Sequence, residues 1–365
     1  MIQTSQRSDF LRSIRSRHTL REVLDGLESL SRLRVCVVGE TIVDEYAYCN
    51  AMGKSGKEPM LVTRFVSCDQ QGGGALAIAN HMAEFSQHVE LISCLGEKDS
   101  REDFVRSCLR PEIKATFITQ HDAPTIVKRR YIDSYSLAKM FGVYQISDEE
   151  LQGDDELSFI DALETALSAC DLVVVADYGH GLITRRVNDL LVSLSPFLSV
   201  NTQLNAANTG YHTLSKYPRA DFVCVHEGEL RMDARQLHGD LRPLMVSTTR
   251  RMELDSLMVT LGNRGTMLYN RSGGFFSCPA LANKVLERVG AGDAVLSLSS
   301  LASAAGLAPD IINLLGNLAG AQAVAVMGNR SSIRKAPMVE SISLIMGKAA
   351  MPNGLKSMAA SRNGG

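Results

Sequence analysis

The sequence predicts an α/β fold, a doubly wound and mostly parallel sheet with helices on both faces, and three observations carry that prediction. Short apolar runs recur at 33–38, 89–95, 172–176, 222–225 and 257–261. They are continuous rather than alternating, as strands buried on both faces are. Between most of them lie helix-like stretches, Leu76–Phe85, Asp99–Leu109, Leu157–Ala169 and Val187–Leu194. Strands alternating with helices indicate parallel crossovers. Finally, 45% of the 365 residues are hydrophobic, enough to bury a sizeable core.

In chain order, residues 1–32 place Leu11, Ile14, Leu20, Val23, Leu24, Leu27 and Leu30 at helical spacing among charges, which predicts a helical extension ahead of the main fold. The main domain is expected over 33–346. Two segments break its rhythm. Residues 44–67 and 124–146 mix aromatic, charged and β-branched side chains and read as half-exposed strands of a small inserted β-sheet. After residue 290 the chain turns helical, over Ala294–Ala305 and Pro309–Val326. Residues 347–365 contain few apolar anchors and predict a flexible tail.

Composition excludes several classes. Lys and Arg total 38 against 40 Asp and Glu, so a net charge of −2 offers nothing to a nucleic-acid partner. The eight cysteines are scattered with no C-x-x-C pair, which argues against a zinc site or a disulfide framework and suits a reducing compartment. The polar, basic N-terminus lacks the apolar core of a secretory signal. No apolar run approaches the roughly 18 residues a bilayer span needs. The expectation is a cytoplasmic protein without a membrane partner.

The chemistry concentrates at Gly290-Ala291-Gly292-Asp293, followed by the helical run AVLSLSSLASA. Small residues before a helix let the backbone approach a ligand, and the first-turn amides and dipole stabilise an anion there. A carboxylate in that turn, Asp293, can take a proton from an attacking hydroxyl. Base plus anion stabilisation is what phosphoryl transfer requires. Asp293 as a simple helix cap is the competing explanation. Three further segments accompany it: Asp44 beyond the first strand, Gly72-Gly73-Gly74-Ala75 entering a helix, and the strand-end turn Val259-Thr260-Leu261-Gly262-Asn263-Arg264-Gly265. On the strand Pro124–Arg130, Lys128 and Arg130 share one face and suit a phosphate group, or equally form a solvated basic edge.

The order of these four segments resembles the ribokinase (PfkB-type) family of carbohydrate kinases over roughly residues 33–340. Val37-Val38-Gly39-Glu40 with Asp44 and Tyr46, Pro124-Thr125-Ile126-Val127-Lys128-Arg129-Arg130, and Asp177-Tyr178-Gly179-His180-Gly181 resemble in particular its heptose-phosphate kinase branch. The resemblance implies a ribokinase-like fold whose small sheet is a lid. It implies ATP with Mg²⁺, a sugar or sugar-phosphate substrate such as a heptose 7-phosphate, and a homodimer. By the same resemblance Asp293 is the base and Gly290, Ala291 and Gly292 form the anion hole. Thr260, Gly262 and Gly265 line the nucleotide site. Asp44, Gly73 and Gly74 contact the sugar, and Glu229 organises the metal's water shell. The chain also departs from the pattern. Glu287, Arg288 and Val289 precede the glycines where the family has Asp and often Thr, a region that shapes a monovalent-cation site in some members, so that the resemblance leaves cation dependence open. Ala77, or Leu76 with a one-residue shift, replaces a sugar-binding Asn, with Asn80 one turn on as the substitute, and His226 replaces the Asn of an N-x-x-E segment. These departures keep two alternatives open: a sugar-phosphate or nucleotide-binding module with weak catalysis, and a nucleoside or vitamin kinase on the same fold.

Overall fold

The protein is represented by a computed structural model that describes residues 2–147 and 149–347. Thirteen strands run in chain order: β1 Arg34–Gly39, β2 Thr41–Lys54, β3 Leu61–Gly74, β4 His88–Lys98, β5 Lys114–Pro124, β6 Ile126–Asp133, β7 Lys139–Gln145, β8 Leu172–Asp177, β9 Leu198–Thr202, β10 Phe222–His226, β11 Ser256–Thr260, β12 Thr266–Asn270 and β13 Gly274–Cys278. Nine of them make one sheet in the order β13-β12-β11-β10-β9-β8-β1-β4-β5. From β11 to β5 every pairing is parallel; only the β11-β12-β13 end is antiparallel.

The apolar runs are continuous because both faces are covered. In β1, Val35 and Val37 join one hydrophobic cluster while Cys36 and Val38 join the other. In β8, Leu172, Val174 and Ala176 face the first and Val173 and Val175 the second. Helices Ala75–Ala83, Ala291–Ala304 and Pro309–Ala323 bury residues in the first layer. Helices Gly153–Leu167, Arg185–Leu194 and Leu241–Arg251 fill the second.

The N-terminal residues form helices Ile2–Arg17 and Leu20–Ser29, the second opened by a capping box in which Thr19 accepts from the Glu22 amide. These helices belong to the main core: Ile14, Val23, Leu27 and Leu30 are buried in the same cluster as Ala302 and Ile342. Each such side chain contributes about 1.5–3 kcal/mol, so together they rival the roughly 5–15 kcal/mol of net stability of a typical domain. The expected tail lies outside the described residues except for Gly347.

The small sheet has the order β3-β2-β6-β7. It reaches further toward the core than the expected 44–67 and 124–146, because β2 starts at Thr41, with Glu40 alone between it and the end of β1, and β3 runs on to Gly74. The first strand of the large sheet and the first of the small one are therefore nearly continuous. Their junction lies beside the point where strand order reverses around β1, the position at which open α/β sheets bind ligands.

Candidate active site

The candidate residues lie at or just beyond the carboxyl ends of four large-sheet strands, from β1 across to β11. Glu40 follows β1, Tyr178 follows β8, Glu229 follows β10 and Thr260 ends β11. Helix Ala291–Ala304 opens toward them from an N-cap at Gly290, which has φ of +79°. A Cβ on Gly290 would lie 2.1 Å from Asn329 Oδ1, so glycine is required there twice, for conformation and for space. A Cβ on Gly292 would meet nothing within 4 Å, which leaves its backbone approachable by a ligand. Of its first-turn amides, that of Ala291 donates to the Arg288 carbonyl at 3.3 Å, while a helix start otherwise leaves such donors without an intrahelical acceptor.

Asp293 sits in that turn and is about nine-tenths buried. Its Oδ1 accepts a hydrogen bond from the Tyr178 hydroxyl at 2.9 Å. Burial pushes its pKa up to about 6; the Tyr178 hydrogen bond opposes the rise, Asp44 adds to it and Lys128 counters it. A carboxyl poised near neutrality, next to a helix start, is suited to accept a proton.

Opposite stands a second buried carboxylate. Asp44 on β2 accepts from Arg130 Nη1 at 2.5 Å through Oδ1 and from Asn329 Nδ2 at 3.4 Å through Oδ2. Gly73 packs on it, since a Cβ there would come 2.3 Å from Asp44 Oδ2; Gly74, at φ +58°, lies against the Glu40 carbonyl. The Arg130 guanidinium also covers the Tyr46 ring at 5.6 Å. Lys128, in register with Asp44 on the parallel neighbour β6, is buried between the rings of Tyr178 (5.7 Å) and Tyr144 (5.9 Å). Burial lowers its pKa, while Asp44, Glu40 and Asp293 work against that. The structure thus brings Asp44, Gly73, Lys128, Arg130 and Asp293 together, with Arg130 already engaged by Asp44.

Asn80 is engaged by a loop. Its Nδ2 donates to the Cys108 carbonyl at 2.9 Å and its Oδ1 accepts from the Arg110 amide at 3.0 Å. Each end of the amide makes one of its two possible bonds there. One helical turn of spacing indicates a shared face, and it cannot show that a backbone partner has claimed the group.

On the other flank, Thr260 pairs with Thr266 across β11 and β12. Gly262 (φ +61°) borders open space, whereas Gly265 (φ +93°) is pressed against the Cys278 carbonyl, 2.1 Å from where a Cβ would stand. Glu229 Oε2 accepts from the His226 amide at 2.6 Å and Oε1 from the Leu204 amide at 3.1 Å. Burial, first of all, raises its pKa to about 7, with Asp293 adding to the rise. His226, in the place of the expected Asn, caps this helix through its ring Nδ1. Among the described residues no three His, Cys, Asp or Glu side chains converge as a metal cage. Glu229 and Asp293 are the buried carboxylates on this side, and carboxylate with water is the donor set that Mg²⁺ prefers.

Four participants had no role in the sequence reading. Asn329 bridges Gly290, Asp44 and Gln71, its amide donating to Gln71 Oε1 at 2.6 Å. Glu40 is buried and accepts from the amides of Tyr178 and His180 at 2.9 and 3.0 Å. Tyr178 was visible only as part of a D-Y-x-x-G likeness. Glu287 takes Lys139 of β7 at 2.9 Å and the Arg288 and Val289 amides at 2.7 and 3.3 Å, tying the small sheet to the turn before Gly290.

Residues 32–336 match the model of the pfkB family of carbohydrate kinases. The chain belongs to this family. The pfkB match covers both sheets and every site residue named above. The chain is similar to the bifunctional protein HldE of Koribacter versatilis, 26% identical over 300 residues, which are 80% of this chain and 60% of that one. It is also similar to HldE of Aeromonas salmonicida, 25% identical over 307 residues, 83% of this chain and 62% of that one. The matched region thus spans less than two thirds of these relatives. Among solved structures, Escherichia coli phosphofructokinase-2 in complex with fructose-6-phosphate superposes with a TM-score of 0.68 at 15% identity, covering 87% of this chain and all of that one. Thermotoga maritima ribokinase gives 0.63 at 16% identity, covering 85% and 99%. At such identities these structures show the ribokinase-like fold alone. The family is one of carbohydrate kinases. No helix among the described residues is long and apolar enough to cross a membrane.

Proposed function

We propose that this kinase transfers the γ-phosphoryl group of ATP to a hydroxyl of a sugar phosphate, with a heptose 7-phosphate as the leading acceptor. The observation that carries the reading is Asp293, a buried carboxyl near neutrality in the first turn of a helix that starts Gly290-Ala291-Gly292. Asp293 takes the acceptor proton; the acceptor oxygen forms a bond to the γ-phosphorus as the bond to the ADP oxygen breaks. The amides of Gly290, Ala291 and Gly292 stabilise the charge spread over the transferred group.

Thr260, Gly262 and Gly265 line the nucleotide side, where Mg²⁺ would neutralise the phosphates and Glu229 would accept from its waters. Asp44, Gly73 and Gly74 bind sugar hydroxyls from the other side. Lys128, and the Arg130 donors left free by Asp44, hold the acceptor's own phosphate. A phosphorylated acceptor is supported by Lys128 being buried with rings about it and carboxylates nearby; an uncharged nucleoside has no use for a buried ammonium. The small sheet then acts as a lid. Leu61, Phe65, Phe141 and Val143 leave its outer strands apolar and exposed, which supports pairing of two copies through it. A monomeric mass in solution at micromolar concentration would overturn that pairing.

Incubation with MgATP and a panel of phosphorylated heptoses and hexoses tests the function. ADP release with a heptose 7-phosphate well above that with hexose phosphates is expected. Folded protein that releases no ADP above background with any of them refutes the kinase reading.

A further inference from the structure

The Tyr178 hydroxyl reaches Asp293, yet no step above uses it. We infer that Tyr178 is a positioning residue for the base: by donating to Asp293 Oδ1 it turns the other carboxylate oxygen toward the acceptor hydroxyl. The inference rests on the reading of Asp293 as base.

The geometry around Tyr178 is that of a fixed donor. Both residues are buried and the hydrogen bond is 2.9 Å long. The backbone on either side of the ring is clamped. Its amide donates to Glu40 Oε2 at 2.9 Å, and its carbonyl accepts from Asn205 Nδ2 at 2.7 Å and Asn208 Nδ2 at 2.8 Å. The next amide, of Gly179, donates to Asp177 Oδ1 at 3.1 Å, and that of His180 to Glu40 Oε1 at 3.0 Å. Gly179 has φ of +71°, and a Cβ there would stand 2.5 Å from Asn208 Nδ2, so the loop closes on that amide only with glycine. Five hydrogen bonds to three consecutive residues leave the ring little freedom. A carboxylate alone on a helix turn rotates about its last bond; one held at Oδ1 does not, and orientation of this kind is worth rate.

The hydroxyl remains a donor throughout the working range, because burial first and then the Asp293 charge push the phenol well above its ordinary range. Around Asp293 the charged groups are Asp44, which raises it, and Lys128, which lowers it, while Glu229 is itself raised by Asp293 and Glu40 acts on Lys128. Loss of the hydroxyl removes the hydrogen bond that favours the ionised carboxylate, so the Asp293 titration must move to higher pH.

The test is a Tyr178→Phe variant of the full chain, read first without substrate by ¹³C NMR titration of labelled aspartate carboxyls. The Asp293 midpoint should move up from about 6. With MgATP and a heptose 7-phosphate, the acid limb of kcat should follow it and the plateau kcat should fall roughly tenfold, with both KM values within about twofold. A purely structural tyrosine would lower the melting temperature and leave the midpoint and limb in place, and that result overturns the inference. A site-specific ring-fluorinated tyrosine at 178, a stronger donor of nearly the same shape, should move the midpoint down. It decides the matter should Tyr178→Phe fail to fold, an unmoved midpoint again overturning the inference. Asp293→Asn measured alongside separates the two ideas: a fully active Asp293→Asn removes the base reading and the inference with it. An inactive Asp293→Asn beside an unshifted Tyr178→Phe removes only the role of Tyr178.

Discussion

The two flanks of the Gly290 helix start are built by different means. On the flank proposed for the acceptor, Asp44, Arg130, Asn329, Lys128, Tyr178 and Asp293 are side chains paired with, or stacked on, one another, mostly buried, and drawn from segments up to 285 positions apart. On the flank proposed for the nucleotide, Thr260, Gly262, Gly265 and Gly292 present backbone, and Gly262 and Gly292 border open space. Under the proposed function one side recognises through charges that must find partners and the other through main chain that must stay uncovered. The acceptor flank should therefore be brittle to chemical change and the nucleotide flank sensitive to shape alone.

Substitution can break or sharpen that contrast. The largest effect is expected from Asp293→Asn, which keeps volume and removes the proposed base. Steady-state assays should show kcat lower by about 10²–10⁴-fold with the KM for ATP little changed, because the carboxyl acts on the acceptor side. A large rise in the KM for ATP instead would merge the two flanks into one. Next comes Arg130→Met, which leaves Asp44 buried without its strongest partner. Breaking such a pair costs about 3–5 kcal/mol when fully buried, and less here because Arg130 is partly exposed. The melting temperature should drop, and the KM for the acceptor should rise while that for ATP stays put. The smallest effects separate two glycines of one turn. Gly262→Ala pays only for its left-handed backbone, about 1–2 kcal/mol, since nothing lies near its Cβ. Gly265→Ala adds a collision with the Cys278 carbonyl and should unfold at lower temperature. Both should raise the KM for ATP by a few-fold; equal melting temperatures for the two would contradict the packing described here.

The same division explains what could be read without coordinates. The large sheet was legible because strands covered on both faces must be apolar throughout, as in Leu172–Ala176. β9, with the sequence LSVNT, escaped because its five residues carry too little hydrophobic pattern. The antiparallel end, β12 and β13, escaped for a related reason: its outer strand alternates between exposed and buried residues and lacks the continuous run of the others. Glycine positions were legible because a backbone that must approach a ligand or take positive φ leaves few choices of residue. The partners of Asn80, on the loop at 108–110, were not legible, because helical spacing reports a face and not a partner.

The sequence by itself determined the layered α/β architecture, the four ordered segments and the identity of the residue at the helix start. These follow from local rules, periodicity and steric permission, that act within a few residues. Only the tertiary structure decided which charges are satisfied: that Arg130 is held by Asp44, that Asn329 packs on Gly290, and that Tyr178 aims its hydroxyl at Asp293. Electrostatic pairing depends on distance and burial in three dimensions, and no local pattern encodes a partner 115 residues away.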